Sequence, residues 1–430
     1  MTRNITKYTL LACILLTLGL LPACKKDNAD IHDASMPVVV NKFYPTKGGS
    51  GTEILITGKN FTGDTANVTV TIGGMPVKVL SCNSTGIMVV VPKKCKSGLI
   101  EVKIGNSTES TSVEPFVYTT TRTITTLAGN GTPGFANGKG KDAQFNFSNP
   151  AWMRSAGIAV DDKLNVFVAD PGNHCIRKID SAGNVTVFVG NPIASGYADG
   201  KGLAANFAIP YGLALDAQGS LYSSDPANWD IRKITPDGTA TTIAWGSAAP
   251  WFVAVDPTTQ KVYYATQDAG TVVCTDGTKI LSGLTESGDI VFDKQGNLYL
   301  SGYNTNLIKK YAAGTWAGTT IAGTGVFGYA DGAGSVAQFA SPWGIAVDND
   351  NNLYIAGNSY GWHTPDESIR FIEAGTWKVS TFAGSGTAGY ADGMGTAALF
   401  QSPSGVAVDK NGTVYVLDKM NNCIRKIVSE

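Results

Sequence analysis

Three histidines, His32, His174 and His363, are all that the 430 residues contain. Metal-assisted hydrolysis and triad chemistry both draw on histidine as ligand or base. That scarcity argues against both. No Cys-x-x-Cys, His-Glu-x-x-His or P-loop pattern occurs, and no pair of carboxylates stands out for glycoside chemistry. One Asp recurs with regular context: Asp161, Asp216, Asp256, Asp293, Asp348 and Asp409 each follow a short apolar run. Asp before a Gly- or Asn-containing turn caps that turn through its own side chain, so the expected role is structural. Arg177, Arg232 and Arg425 lie seven residues after Asp170, Asp225 and Asp418, a spacing that suggests ion pairs inside repeated units.

The aromatic residues carry more functional information. Trp152, Tyr211, Trp251 and Trp343 stand just before or at the start of the recurring apolar runs. Trp229, Tyr303, Tyr360 and Trp362 stand in a second class of turn. A ring offers a flat apolar face, against which the C–H face of a sugar stacks. These eight residues are the candidate ligand-binding set. No catalytic residue, metal ligand or cofactor is expected.

The elements that would position them are β-strands. Glycine is abundant (51 residues), charged residues make up only 16 %, and the net charge is −1. Low charge with many turn formers favours strands and hairpins. The charge balance excludes the basic footprint of a nucleic-acid binder. Six segments align as repeats, beginning at Gly157, Gly212, Phe252, Asp289, Gly344 and Gly405. Each continues into a second strand and a third, such as Cys175–Ile179, Asp230–Ile234 and Cys423–Ile427, and the better copies add a fourth. Four strands and six copies make a six-bladed β-propeller over residues 121–430. The last copy ends after its third strand, and an orphan strand at 123–129 precedes the first. That strand is expected to close the ring and remove an exposed sheet edge.

Asn173-His174, within Asp170–Ile179, resembles the motif that names NHL repeats, and the six segments are similar to that family as a whole. A linking loop also recurs: Gly134-Phe-Ala-Asn-Gly138, Gly196-Tyr-Ala-Asp-Gly200, Gly328-Tyr-Ala-Asp-Gly332 and Gly389-Tyr-Ala-Asp-Gly393. The resemblance implies a propeller that binds a ligand or protein on one face. The amidating lyase is similar in fold, but it needs several metal-binding histidines that this chain lacks.

Residues 37–118 carry short β-rich runs separated by Gly48–Gly51, Gly73-Gly74 and Lys96–Gly98, the pattern of a small sandwich. Phe43-x-Pro45-x-x-Gly48-x-x-Gly51-Thr52 and Ile56-x-Gly58-x-Asn60-Phe61 resemble the IPT/TIG immunoglobulin-like family, which implies a spacer or interaction module. Cys82 and Cys95 lie here, and spacing alone leaves open whether they pair.

The first residues read as an address. Arg3 and Lys7 precede an apolar run from Leu10 to Leu21, too short to favour a membrane span. Leu21-Pro22-Ala23-Cys24 resembles the lipobox of bacterial lipoproteins, which implies a signal peptide at 1–23, acylation of Cys24 and a polar tether at 24–36. Such a start is similar to outer-membrane lipoproteins of Bacteroidetes. The expected protein is therefore an all-β, lipid-anchored, non-catalytic binder at the cell surface, with a propeller lyase or hydrolase as the least favoured alternative. Its expected partner is an extracellular glycan or an envelope protein, with the membrane met only through the anchor.

Overall fold

The computed structural model describes residues 32–147, 157–285, 287–357 and 366–430. Cys24, Trp152, Tyr360 and Trp362 lie outside them. The chain divides into two compact units, one ending at Thr120 and one spanning Thr121–Ser429.

The first unit is a two-sheet sandwich. One sheet orders Val39–Tyr44, Glu53–Lys59, Gly86–Val90 and Lys78–Cys82; the other orders Lys47–Gly48, Ser110–Tyr118, Gly98–Ile104, Val68–Ile72 and Met75–Pro76. Glu53–Lys59 alternates exposed and buried residues without a break, the mark of a strand with one face in the core. Ile54, Ile56, Phe61, Val70, Ile87, Val89, Val102 and Phe116 fill that core. The opening strand Val39–Tyr44 eludes sequence reading because its burial pattern is irregular around a register shift between Val40 and Lys42.

The second unit holds six antiparallel sheets. Their innermost strands are Ile158–Val160, Leu213–Leu215, Pro250–Val255, Ser287–Phe292, Pro342–Val347 and Pro403–Val408, which open blades 1 to 6. Each innermost strand packs against the next, and that of blade 6 packs back against blade 1. The ring is therefore closed. Blade 6 takes its outer strand from the other end of the unit: Arg122–Ala128 pairs antiparallel with Cys423–Ser429 from Arg122↔Ser429 to Ala128↔Ile424. Apolar side chains pack between adjacent blades, as where Phe145, Val166 and Val168 of blade 1 meet Tyr415, Leu417 and Ile424 of blade 6.

Asp161, Asp216, Asp293, Asp348 and Asp409 each accept two backbone N–H bonds inside the turn that follows. Asp161 Oδ1, for example, lies 2.9 Å from Lys163 N and 2.8 Å from Asn165 N. These carboxylates are committed to holding hairpins.

Candidate ligand-binding face

The linking loops are clamped by buried arginines. Arg177, Arg232, Arg370 and Arg425 come from the third strands of blades 1, 2, 5 and 6. Each donates through one nitrogen to a loop carbonyl and to the loop's Asp or Asn. Arg425 Nη2 lies 2.7 Å from Ala391 O and 2.8 Å from Asp392 Oδ1; Arg177 makes the same pair of bonds to Ala136 and Asn137. The guanidinium lies between two rings, one buried and one at the surface, as with Phe400 and Tyr390 around Arg425. This geometry explains the recurrence of Gly-Tyr-Ala-Asp-Gly: the aromatic covers the arginine and the Asp anchors it. Asp170 pairs with Arg177 at 3.0 Å and Asp418 with Arg425 at 2.8 Å. Arg232 departs from the expected pattern. Its ion pair is with Asp199 of the loop, while Asp225 turns to the backbone N–H groups of Ala208 and Ile209. Blade 5 pairs Arg370 with Asp366 four residues away, a shorter spacing that the seven-residue pattern does not find.

Four of the eight candidate rings do come together, but as packing. Tyr211, Tyr303 and Trp343 are buried, and Trp251 is half-buried. Tyr211 meets Trp251 edge-on at 5.1 Å and Phe252 at 5.4 Å; Phe252 meets Trp343 at 5.5 Å, and Trp343 meets Tyr303 at 4.8 Å. The chain of rings spans blades 2 to 5, at the beginnings of the innermost strands of blades 2, 3 and 5 and just after the second strand of blade 4. The expectation of open stacking platforms at Tyr211, Tyr303 and Trp343 is thus corrected. A ring buried on both faces contributes to the core and has no face left for a ligand.

Trp229 behaves differently. It is 49 % exposed, and its φ of 61° places a bulky residue in the left-handed region. The residue just before the third strand adopts this conformation in other blades too: His174, Gly270, Asn306 and Asn422 have φ between 41° and 56°. Asn and Gly tolerate it; a residue with an ordinary Cβ loses about 1–2 kcal/mol. Opposite Trp229, the fourth strand of blade 2 ends at Trp245, which pairs with Asp230 and is 59 % exposed. Gly129, Gly190, Gly323 and Gly384 take the corresponding place in blades 6, 1, 4 and 5, each one residue beyond the partner of an isoleucine. Blade 2 therefore carries two exposed indoles: blades 1, 3, 4 and 6 have His, Gly or Asn at the first position, and blades 1, 4, 5 and 6 have Gly at the second.

Tyr197 of the linking loop joins them. Its ring centroid lies 4.9 Å from that of Trp245, and its hydroxyl is 3.3 Å from Thr242 Oγ1. Asn228 ties loop to turn by donating to Gly196 O and Asp225 Oδ2, both at 3.0 Å. Beside the turn runs a cleft of about 200 Å³ lined by Pro171, His174, Ser195, Ala208, Ile209 and Ala227. His174 Nδ1 donates to Ala208 O at 2.7 Å, because a carbonyl can only accept. Trp245 and Tyr197 are absent from the candidate set read from sequence. The signal that finds them is the break in the repeat, Ala244-Trp245 where blades 1, 4, 5 and 6 read Ala-Gly or Val-Gly.

Residues 37–120 match the IPT/TIG domain family and residues 400–427 match the NHL repeat family. The chain is an IPT/TIG domain followed by an NHL-type β-propeller. A Bacteroides thetaiotaomicron crystal structure described as a structural genomics protein of unknown function is 21 % identical. It covers 93 % of this chain and 100 % of its own, with a TM-score of 0.64. A second structure from that organism, described as an auxiliary nutrient binding protein, is 22 % identical with the same coverage and a TM-score of 0.58. Both share the fold. The SUPPRESSOR OF QUENCHING 1 protein of Arabidopsis thaliana is 27 % identical over 335 residues, 71 % of this chain but only 27 % of that protein.

Within the NHL propeller and its IPT/TIG partner, no group of three or more His, Cys, Asp or Glu could hold a metal among the described residues. Cys95, Cys175, Cys274 and Cys423 are free thiols. Gly357-Asn358-Ser359-Tyr360-Gly361 spells the Gly-x-Ser-x-Gly of a nucleophile elbow. Residues 358–365 are outside the described residues. The flanking elements are the antiparallel strands Leu353–Gly357 and Ile369–Ile372, whereas the elbow needs a strand-to-helix turn.

Proposed function

We propose that this protein is a non-catalytic binding lipoprotein, anchored outside the cell through acylated Cys24, whose propeller holds an extracellular glycan at the rim of blade 2. The observation that carries the reading is the pair of exposed indoles, Trp229 and Trp245, at positions where four of the other blades carry Gly, Asn or His. Backbone strain and exposed apolar area both oppose folding, so they persist where something other than folding uses them. Two indoles and a tyrosine give a sugar its stacking faces, and the cleft beside them offers the His174 ring and the Ser195 hydroxyl. The fold shared with an auxiliary nutrient binding protein supports a binding role. Each ring contributes on the order of 1 kcal/mol beyond area burial, about a fivefold change in affinity.

Calorimetric titration against a panel of soluble polysaccharides tests this. Trp229→Asn and Trp245→Gly each restore the residue of a sibling blade, so the fold accommodates them. The expected result is saturable binding of one polysaccharide, weakened about fivefold by either change. Silence across the panel, or binding unmoved by both variants, would refute the site. Loss of incorporated palmitate in Cys24→Ala tests the anchor.

A second reading, a protein partner on the same rim, draws on Ile193. This aliphatic side chain of the linking loop is 92 % exposed. A stoichiometric envelope partner captured in the absence of sugar would favour it.

A further inference from the structure

The six innermost strands enclose a cavity of about 350 Å³ along the propeller axis. Its wall is mostly Val, Ile, Leu and Ala, contributed by every blade. The innermost strands are sheet edges, each hydrogen-bonded on one side only, so backbone carbonyls also border the space. At the start of four innermost runs the side chain is absent, at Gly157, Gly212, Gly344 and Gly405; blade 4 has Asp289 there. The carboxylate is fixed by two backbone donors, Ile290 N at 2.8 Å to Oδ1 and Ile345 N at 3.4 Å to Oδ2. Two donors leave acceptor positions unused on a group that can take about four. Asp289 lines the cavity. The other charged residues of the lining are Lys294 and Asp348, which lie at or beyond the far ends of their innermost runs. Partial burial among aliphatic residues pushes the Asp289 carboxyl up to about 7.

We propose that the axial cavity is a binding site for a small organic ammonium ion, anchored by Asp289 and the carbonyls of the strand edges. Three features select this class. The one acidic group at this end prefers a charged donor, which makes a hydrogen bond roughly twice as strong as a neutral one. The apolar wall suits a short alkyl body. The volume equals that of roughly ten waters, room for an amine of that many heavy atoms. A single carboxylate is too few ligands for a divalent metal. This site is separate from the blade 2 rim and stands or falls without it.

Titration calorimetry of the full mature protein with n-butylammonium chloride, and with n-butanol as the neutral control of equal size, tests the proposal. Saturable binding of the ammonium ion, at least about tenfold tighter than the alcohol, is expected. Near pH 6, binding should release a proton from Asp289, read as a dependence of the heat on buffer ionisation enthalpy. Asp289→Asn should abolish both signals. No saturation by butylammonium, equal binding of the alcohol, absence of proton release, or unchanged affinity in Asp289→Asn would each overturn it. The comparison of amine with alcohol needs no variant, so misfolding of Asp289→Asn would not shelter the idea.

Discussion

Asp230 begins the third strand of blade 2, where blades 1 and 6 begin with Cys175 and Cys423. It is fully buried, and neither carboxyl oxygen has a hydrogen-bond partner among the described residues. Burial first, and the neighbouring Asp225 second, push its pKa from 3.8 to about 7. The folded state thus holds this proton more tightly than the unfolded chain does. Stability from the protonated acid is complete below about pH 4 and is lost as the pH rises through 7. A shift of about 3 units corresponds to a loss of roughly 4 kcal/mol by pH 8, an upper bound because relaxation and water entry soften it. Asp230→Asn keeps the shape and removes the titration; Asp230→Cys installs the residue of the sibling blades. Urea unfolding at pH 5, 6.5 and 8 reads the difference. Tryptophan fluorescence reports on the propeller alone, since all eight tryptophans follow residue 121. Either variant should gain on the wild type steadily with pH, by as much as about 2.5 kcal/mol between pH 5 and pH 8. A difference that stays constant from pH 5 to 8, or a wild type that grows more stable relative to both variants, would refute the reasoning. Glu367 and Asp289 are also raised to about 7, so the wild-type curve alone does not decide the matter.

Other expectations follow from the same geometry. Arg425→Ala strands the buried Asp418 carboxylate and should cost about 3–5 kcal/mol by chemical unfolding, far more than an exposed ion pair would. Adding Asp418→Asn to it should recover part of that loss, and no recovery would count against an uncompensated charge as the cause. Trp343→Ala removes the link between Phe252 and Tyr303 in the buried ring chain and should lower stability by about 3–5 kcal/mol; a loss under 1 kcal/mol would mean the rings pack loosely. Ile124→Asp puts a charge into the fully buried face of the closing strand and should open the ring, seen as rapid hydrogen exchange along Cys423–Ser429 while the central strands of blade 3 stay protected.

The propeller was legible because repetition multiplies a weak signal. One run such as Gly157–Asp161 is ambiguous, whereas six at matching intervals, each followed by a turn-capping Asp, admit few folds. The IPT/TIG sandwich was legible through its turn glycines and alternation. The purpose of the Gly-Tyr-Ala-Asp-Gly loop was not legible: its arginine lies more than 30 residues further on, as in Arg425 with Asp392, and only folding brings the two together.

The amino-acid sequence by itself determined the all-β class, the blade number and the capping role of the repeated Asp residues, since these depend on local alternation and turn chemistry. Tertiary structure alone decided which rings are available. Whether an aromatic at the start of an inner strand faces solvent or a neighbouring blade depends on packing between segments far apart in the chain. Tyr211, Phe252 and Trp343 fill one another's space, while Trp229 and Trp245 are left open at the rim of blade 2. The same holds for Asp289, an ordinary residue in the string that comes to line an axial cavity only when six strands close around it.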